Sequence, residues 1–309
     1  MKVLSLFTGI GGIDLGFIQA GHEVVFANEI DKDACRTFRY NFKDTVIKQC
    51  DIKDIDLLSL PDFDCLAAGF PCQPFSVMGN QRGFEDSRGN MFFKIAHILD
   101  VRKPRAVFLE NVANLKKHDN GRTFSIVINT LIDLGYTIKH CVINPTDVNI
   151  PQYRARIFIV GYRNHLDMKD FTFPEPVPLS RSIEDIISRK EKHSEEFYYV
   201  PGNRYYKNLD IRMKGKTGIY RIDDSGVAVR RWDICPTLKA NMGTYHDRVP
   251  VIRDDFGIRK LTPYECLAFQ GFPESFRFPN ISLNSAYKQV GNTVCVPVVF
   301  SIAKNMNVK

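Results

Sequence analysis

Gly69-Phe70-Pro71-Cys72-Gln73-Pro74-Phe75-Ser76 places a cysteine between two prolines, directly after the apolar run Cys65-Leu66-Ala67-Ala68-Gly69. An ionised thiol is a strong nucleophile near neutral pH, and the prolines stiffen the backbone that carries it. Most cysteines are buried and inert, so Cys72 needs partners before it counts as chemistry. Glu110-Asn111-Val112 sets a carboxyl group at the end of the apolar run 106–109. An apolar setting can hold such a group protonated and let it donate to a ligand; the ordinary alternative is a surface turn. Gln152-Tyr153-Arg154-Ala155-Arg156 precedes the apolar run 157–161. Alternation along an extended segment sends Gln152, Arg154 and Arg156 to one face. Two guanidinium groups there suit an anionic or carbonyl-rich partner, unless they are simply exposed.

A second group of residues points to a nucleoside. Phe7-Thr8-Gly9-Ile10-Gly11-Gly12 follows the first apolar run, and glycines let a ligand approach the backbone and the unpaired N–H groups of the next helix. Glu29 lies about 20 residues further on, where an acid accepts hydrogen bonds from ribose hydroxyls. Asp51 ends the expected third strand, a place to meet an adenine edge. The loop lacks the GK[ST] of a phosphate-binding loop and departs from GxGxxG, which disfavours a pyrophosphate.

These residues need a scaffold that collects them at one edge. Strand-like runs at 3–7, 23–27, 46–48, 65–68, 106–109 and 137–143 alternate with helical patterns at 12–20, from Asp31 onward, at 91–101 and at 124–134. Alternation of this kind specifies an α/β domain with a doubly wound, mostly parallel sheet, whose chemistry sits at the carboxyl ends of the strands. From about residue 164 to 257 the chain is rich in Pro, Gly, Tyr and charge, and reads as a second, smaller, irregular β-rich domain. Thr262-Pro263-Tyr264-Glu265 has the form of a capping box with proline at the first helical position. The apolar run 294–302 is expected to return to the first domain. The expected division is 1–165 completed by 284–309, with 166–283 as the second domain and hinge.

Composition narrows the class. The chain has 309 residues, 44% of them hydrophobic, and a net charge of +7. Residues 201–260 hold 13 Lys or Arg against 7 Asp or Glu, whereas the first 200 hold 25 against 26. The basic excess therefore sits in one late segment, as expected of a polyanion-facing module. The eight cysteines form no CxxC pair, so neither a zinc site nor a disulfide framework is expected, and reduced thiols fit a cytoplasmic setting. The apolar start breaks at Gly9 and Asp14, which argues against a signal peptide, and no stretch approaches membrane-spanning length.

Taken in order, FTGIGG at 7–12, Glu29, Asp51, GFPCQPFS at 69–76, ENV at 110–112, QYRAR at 152–156, RKLTPYECLAFQGFP at 259–273 and GNTVCVPV at 291–298 resemble the bacterial DNA (cytosine-5-)-methyltransferases of restriction–modification systems. The resemblance spans nearly the whole chain and implies a Rossmann-like methyltransferase fold using S-adenosyl-L-methionine. It implies that Cys72 attacks carbon 6 of a flipped-out cytosine in a short duplex DNA sequence, with Glu110 at ring nitrogen 3. Arg154 would lie near the thiolate and Arg156 near the base carbonyl. Phe7, Gly9, Gly11, Gly12, Glu29, Ile30, Asp51, Ile52, Pro71 and Asn292 match cofactor positions, Ile30 replacing an aromatic residue common there. The segment 76–89, with Gly79, Gly83 and Gly89, resembles a mobile catalytic loop. Gln73, Ser76, Arg88, Arg230, Arg231, Thr237, Lys239, Asn241 and Tyr245 are the implied DNA contacts, and no metal is implied. A monomer, paired in function with a restriction endonuclease, is the expectation. A tRNA cytosine-5 methyltransferase and a catalytically silent DNA-binding regulator are the alternatives.

Overall fold

Runs that are apolar on both sides of the chain become the middle of a covered sheet. In the computed structural model, which describes residues 1–71, 91–215, 217–222 and 229–307 (backbone alone at 229–231 and 246), seven strands form such a sheet, with the apolar runs in its interior. They are β1 (Lys2–Leu6), β2 (Glu23–Glu29), β3 (Val46–Gln49), β4 (Cys65–Gly69), β5 (Ala106–Val112), β6 (Thr137–Ile143) and β7 (Arg156–Tyr162). Their order is β3-β2-β1-β4-β5-β7-β6. All neighbouring pairs are parallel except those made by β7, which runs antiparallel between β5 and β6. The interior strands β1, β4, β5 and β7 are almost wholly buried, while the edge strands β3 and β6 are largely open.

Helices α1 (Gly12–Gln19), α2 (Lys32–Asn41), α3 (Met91–Arg102), α4 (Arg122–Asp133) and α5 (His165–Asp170) cover this sheet. Asp31 starts α2 as expected: its Oδ1 accepts from the N–H groups of Asp33 and Ala34, both at 3.0 Å. On one face Leu4, Leu66, Val107 and Leu109 pack with Phe92, Ile95 and Leu99 of α3 and with Val127 and Leu131 of α4. On the other, Phe17 of α1 meets Phe108 edge-on. The doubly wound, mostly parallel sheet expected from the alternation is present, with strands and helices close to the expected positions. Asp51 differs slightly. β3 stops at Gln49, and Asp51 instead caps the short turn Ile52–Asp54, its carboxylate accepting from Lys53 N–H at 3.0 Å.

The described residues divide into two compact units. The first comprises Met1–Ile143, Ala155–Pro174 and Val298–Lys309; the second comprises Asn144–Arg154 and Glu175–Pro297. The second holds an antiparallel sheet of short strands, ordered β10-β9-β11-β12-β8: β8 (Tyr198–Tyr199), β9 (Ile219–Ile222), β10 (Val229–Trp232), β11 (Val251–Asp254) and β12 (Gly257–Lys260). Tyr199, Tyr220, Ile222, Val251 and Ile258 bury one face under Leu209 and Met213 of α6 (Tyr206–Met213). This is the smaller β-rich module expected from the sequence.

Arg259 on β12 is fully buried and fixes the junction that follows. Its Nε donates to Asp254 at 2.7 Å, and its two terminal nitrogens grip Glu265 bidentately at 2.8 Å each. Glu265 also accepts from Thr262 N–H at 2.7 Å, completing the capping box that opens α7 (Pro263–Phe269). Helices α8 (Leu283–Asn292) and α9 (Val296–Ala303) end the chain. From Val298 onward α9 belongs to the first unit, and its Val299 lies against Gly16 of α1. Among the described residues no helix is long and apolar enough to cross a membrane, and no cluster could hold a metal ion.

Candidate active site

The carboxyl ends of β1 and β2 lie side by side in the sheet. Leaving β1, the chain turns sharply at Phe7 (φ 55°), Gly9 (φ 57°) and Gly11 (φ 88°). Thr8 N–H donates to Asn28 O at 3.0 Å, and Gly11 N–H donates to Thr8 O at 2.9 Å. A Cβ added at Gly9 would meet nothing within 4 Å, so the turn opens to solvent there. Glu29 ties this turn to the next strand. Its Oε2 accepts from Gly9 N–H at 2.9 Å, and its Oε1 accepts from Ile30 and Asp31 N–H at 2.8 Å each. Beside it the Ile30 side chain is 63% exposed. An open glycine floor, a fixed carboxylate and a bare apolar side chain suit a nucleoside, whereas a phosphate would meet the Glu29 charge at close range.

The ends of β4 and β5 carry the second feature. Gly69 pairs in register with Glu110, and Cβ-free Gly69 leaves room for the Glu110 carboxylate, which a side chain there would approach to 3.2 Å. Arg156, at the start of β7, donates its Nε to Glu110 Oε1 at 3.0 Å, and both side chains are about 15% exposed. In so sheltered a place the pair fixes two polar groups in one orientation while leaving edges to offer to a ligand. Asn111, buried next to it, donates its Nδ2–H to Phe70 O at 2.9 Å. That bond anchors the chain where β4 leads to the exposed Pro71 and on toward Cys72. Cys72, Gln73, Ser76, Arg88 and the segment expected to act as a loop, 76–89, lie outside the described residues.

Four other cysteines are held as neutral thiols, unfit for nucleophilic work. Burial pushes the Cys35 thiol up to about 12, with Glu29 adding to the effect. Burial likewise raises the thiols of Cys65, Cys235 and Cys266 far above neutral pH.

The three residues expected on one extended face are divided by the fold. Only Arg156 stands on β7. Arg154 is buried in the second unit, its Nη1 donating to Leu238 O at 2.6 Å and its Nη2 to Gly291 O at 3.0 Å and Thr293 O at 2.6 Å. For Arg154 the carbonyl partners are the protein's own backbone oxygens. Gln152 is fully buried, bridged through its backbone to Cys235. A period-two pattern failed here because the chain is not a strand before Arg156.

The remaining expected contacts lie in the second unit. Asn292 is exposed at the end of α8. A Cβ on the preceding Gly291 would collide with the Lys239–Ala240 peptide, so glycine permits that close approach. Arg230 and Arg231 lie on β10. Thr237 spends its hydroxyl on Tyr153 O at 2.7 Å. Lys239 is exposed, Asn241 begins the second position of the turn Ala240–Gly243, and Tyr245 is 56% exposed. Sequence reasoning missed Asn111 as an anchor and Asp14 as the partner of Thr8. An acid inside the apolar segment Gly12-Ile13-Asp14-Leu15-Gly16 was the signal for the second.

A doubly wound sheet with a glycine turn after its first strand, a carboxylate at the end of its second and a polar pair joining β5 to β7 fits the class of nucleotide-binding α/β folds. The family is set by comparison: the model of the C-5 cytosine-specific DNA methylases matches residues 1–308, and the chain belongs to that family. It is 46% identical over 310 residues to the type II methyltransferase M.Bsp6I of Bacillus sp. strain RFL6, covering 99% of this chain and 98% of the relative. It is 36% identical over 317 residues to the type II methyltransferase M.HhaI of Haemophilus parahaemolyticus, covering 99% and 94%. Among solved structures, a DNMT2 mutant of Spodoptera frugiperda superposes with a TM-score of 0.76 at 22% identity, covering 99% of each chain; this is a likeness of fold. The protein is a DNA (cytosine-5-)-methyltransferase, and its family implies use of S-adenosyl-L-methionine on DNA.

Proposed function

We propose that the chain methylates carbon 5 of a flipped-out cytosine within a specific short duplex DNA sequence, through a covalent adduct of Cys72 at carbon 6. The observation that carries this reading is the sheltered Glu110–Arg156 pair at the strand ends, adjoining the anchored approach to Cys72. Cys72, as thiolate, forms the sulfur–carbon 6 bond, and the electron pair moves toward carbon 5 and ring nitrogen 3. Glu110 hydrogen-bonds or protonates that nitrogen, stabilising the charge that develops. Arg156 orients Glu110 and offers its remaining N–H groups to the base carbonyl. S-adenosyl-L-methionine, when bound, supplies the methyl group. Loss of the carbon 5 proton to a base then returns the electron pair and expels Cys72. Phe7, Gly9, Gly11, Gly12, Glu29, Ile30, Asp51 and Ile52 would hold the cofactor, with Pro71 and Asn292 assigned to the same task by family pattern.

The basic segment around Arg230, Arg231, Lys239, Asn241 and Tyr245 would read the duplex, phosphate contacts fixing register and side-chain edges reading bases. Division into a catalytic part, 1–165 with 284–309, and a recognition part, 166–283, belongs to the same reading. So do action as a monomer in the cytoplasm and functional pairing with a restriction endonuclease. The test is methyl uptake from labelled cofactor into unmethylated genomic DNA, beside tRNA and Cys72→Ala. Label at one short DNA motif, absent in the variant, supports the reading. Label in tRNA alone would make it the RNA enzyme, and label in neither would make it a silent binder.

A further inference from the structure

The Thr8–Gly11 turn is held on three sides. Its backbone is fixed to Asn28 and within itself, and Gly9 is fixed to Glu29. The third hold is the Thr8 side chain, whose hydroxyl donates a short hydrogen bond to Asp14 Oδ2. Asp14 stands in the first turn of α1 and is 1% exposed. A carboxylate buried in an apolar helix is costly to the fold, and no ion pair among the described residues repays it. Around it stand Thr8 from the turn and Ser5 from β1, and no charged side chain among the described residues bears on it. Ser5 Oγ and Asp14 Oδ1 are both buried and complete no hydrogen bond of regular geometry, although the Ser5 hydroxyl still favours the charged carboxylate slightly. Burial outweighs the Thr8 hydroxyl, the Asp14 backbone N–H and the Ser5 hydroxyl, and raises the carboxyl from 3.8 to about 6.

We infer that Asp14 is a positioning residue for the cofactor pocket: through the Thr8 hydroxyl it holds the turn in the shape that directs Gly9 N–H at Glu29. The inference rests on the proposed use of this pocket by an adenosyl cofactor. Asp14 does not touch the ligand; it keeps the floor of the pocket and the ribose-facing carboxylate in register. A charged acceptor holds a hydroxyl more firmly than a neutral acid does, so the hold weakens when the carboxyl is protonated. Cofactor affinity then falls as pH drops through the range where Asp14 gains its proton.

The test is calorimetric titration of the full chain with S-adenosylhomocysteine from about pH 5.5 to about pH 8, for wild type, Asp14→Asn, Thr8→Val and Thr8→Ser. Wild type is expected to lose affinity roughly three- to tenfold on acidification, the worth of one hydrogen bond. Asp14→Asn, equal in size, is expected to lack that pH step once the titration common to all variants is divided out. Thr8→Val is expected to bind more weakly near neutral pH and also to lack the step, while Thr8→Ser restores both. Thermal unfolding without ligand reports whether each variant is folded, and Thr8→Ser supplies a folded comparison if Thr8→Val is not. If wild type binds and Asp14→Asn and Thr8→Val share its affinity and pH profile, the inference is overturned alone. If wild type binds at no pH, the cofactor reading fails and takes the inference with it.

Discussion

Glu110 and Arg156 form a 3.0 Å pair in which neither side chain is more than about 15% exposed, and in such shelter each group's orientation depends on the other. Glu110→Gln keeps the shape but loses the acid, and kcat is expected to fall by about 10²–10³ with the unfolding temperature little changed, as measured by methyl transfer at saturating substrates. Equal kcat in the variant would remove Glu110 from the chemistry. Asp14 gives a prediction of the opposite kind. Its folded value, about 6, lies above the unfolded 3.8, so between those values the folded state holds the proton more tightly. Stability from this group therefore falls as pH rises through that window and stays lowered above it. Asp14→Asn is expected to be about 1–3 kcal/mol more stable than wild type near pH 7.5 and to gain almost nothing near pH 3, below both values. Denaturant unfolding at the two pH values checks this, and no gain at the higher pH would contradict it.

At the level of elements, what was legible in the sequence was what burial on both faces makes legible. β2, β4 and β5 are mostly apolar runs that end in glycine, acid or asparagine, so their carboxyl ends, and with them Glu29, Gly69 and Glu110, could be placed without coordinates. The strands of the second unit are only two to four residues long and mix charge with tyrosine, too short for a period of two to show. The Arg154 anchorage was hidden for another reason, because its acceptors are backbone carbonyls more than 80 residues away. The Arg259 triad was hidden because charged residues read as surface until burial is known. Arg259→Met would leave Asp254 and Glu265 buried without their cation, and is expected to destabilise the protein by about 3–5 kcal/mol. Circular dichroism during denaturant unfolding measures that loss, and a change under about 1 kcal/mol would show the triad to be dispensable.

Across the whole molecule, charge is sorted: residues 201–260 carry 13 basic side chains against 7 acidic, while the first 200 residues are nearly neutral. Binding that rests on phosphate contacts from such a segment releases counterions, so affinity for duplex DNA is expected to fall at least about tenfold between about 50 and about 200 mM salt. Lys239→Gln is expected to shallow the salt slope by about one unit, and an unchanged slope in fluorescence anisotropy would take Lys239 out of the phosphate contacts. The chemistry in the first unit is tested most directly by catching the sulfur–carbon bond. A duplex carrying 5-fluorocytosine at the methylated position accepts the thiolate and the methyl group but has no proton at carbon 5 to lose, so Cys72 cannot be expelled. With S-adenosyl-L-methionine present, a denaturation-resistant complex is expected, its mass shift located on the peptide containing Cys72 and absent in Cys72→Ala. Methylation of ordinary DNA without any such complex, or an adduct on another residue, would contradict the mechanism.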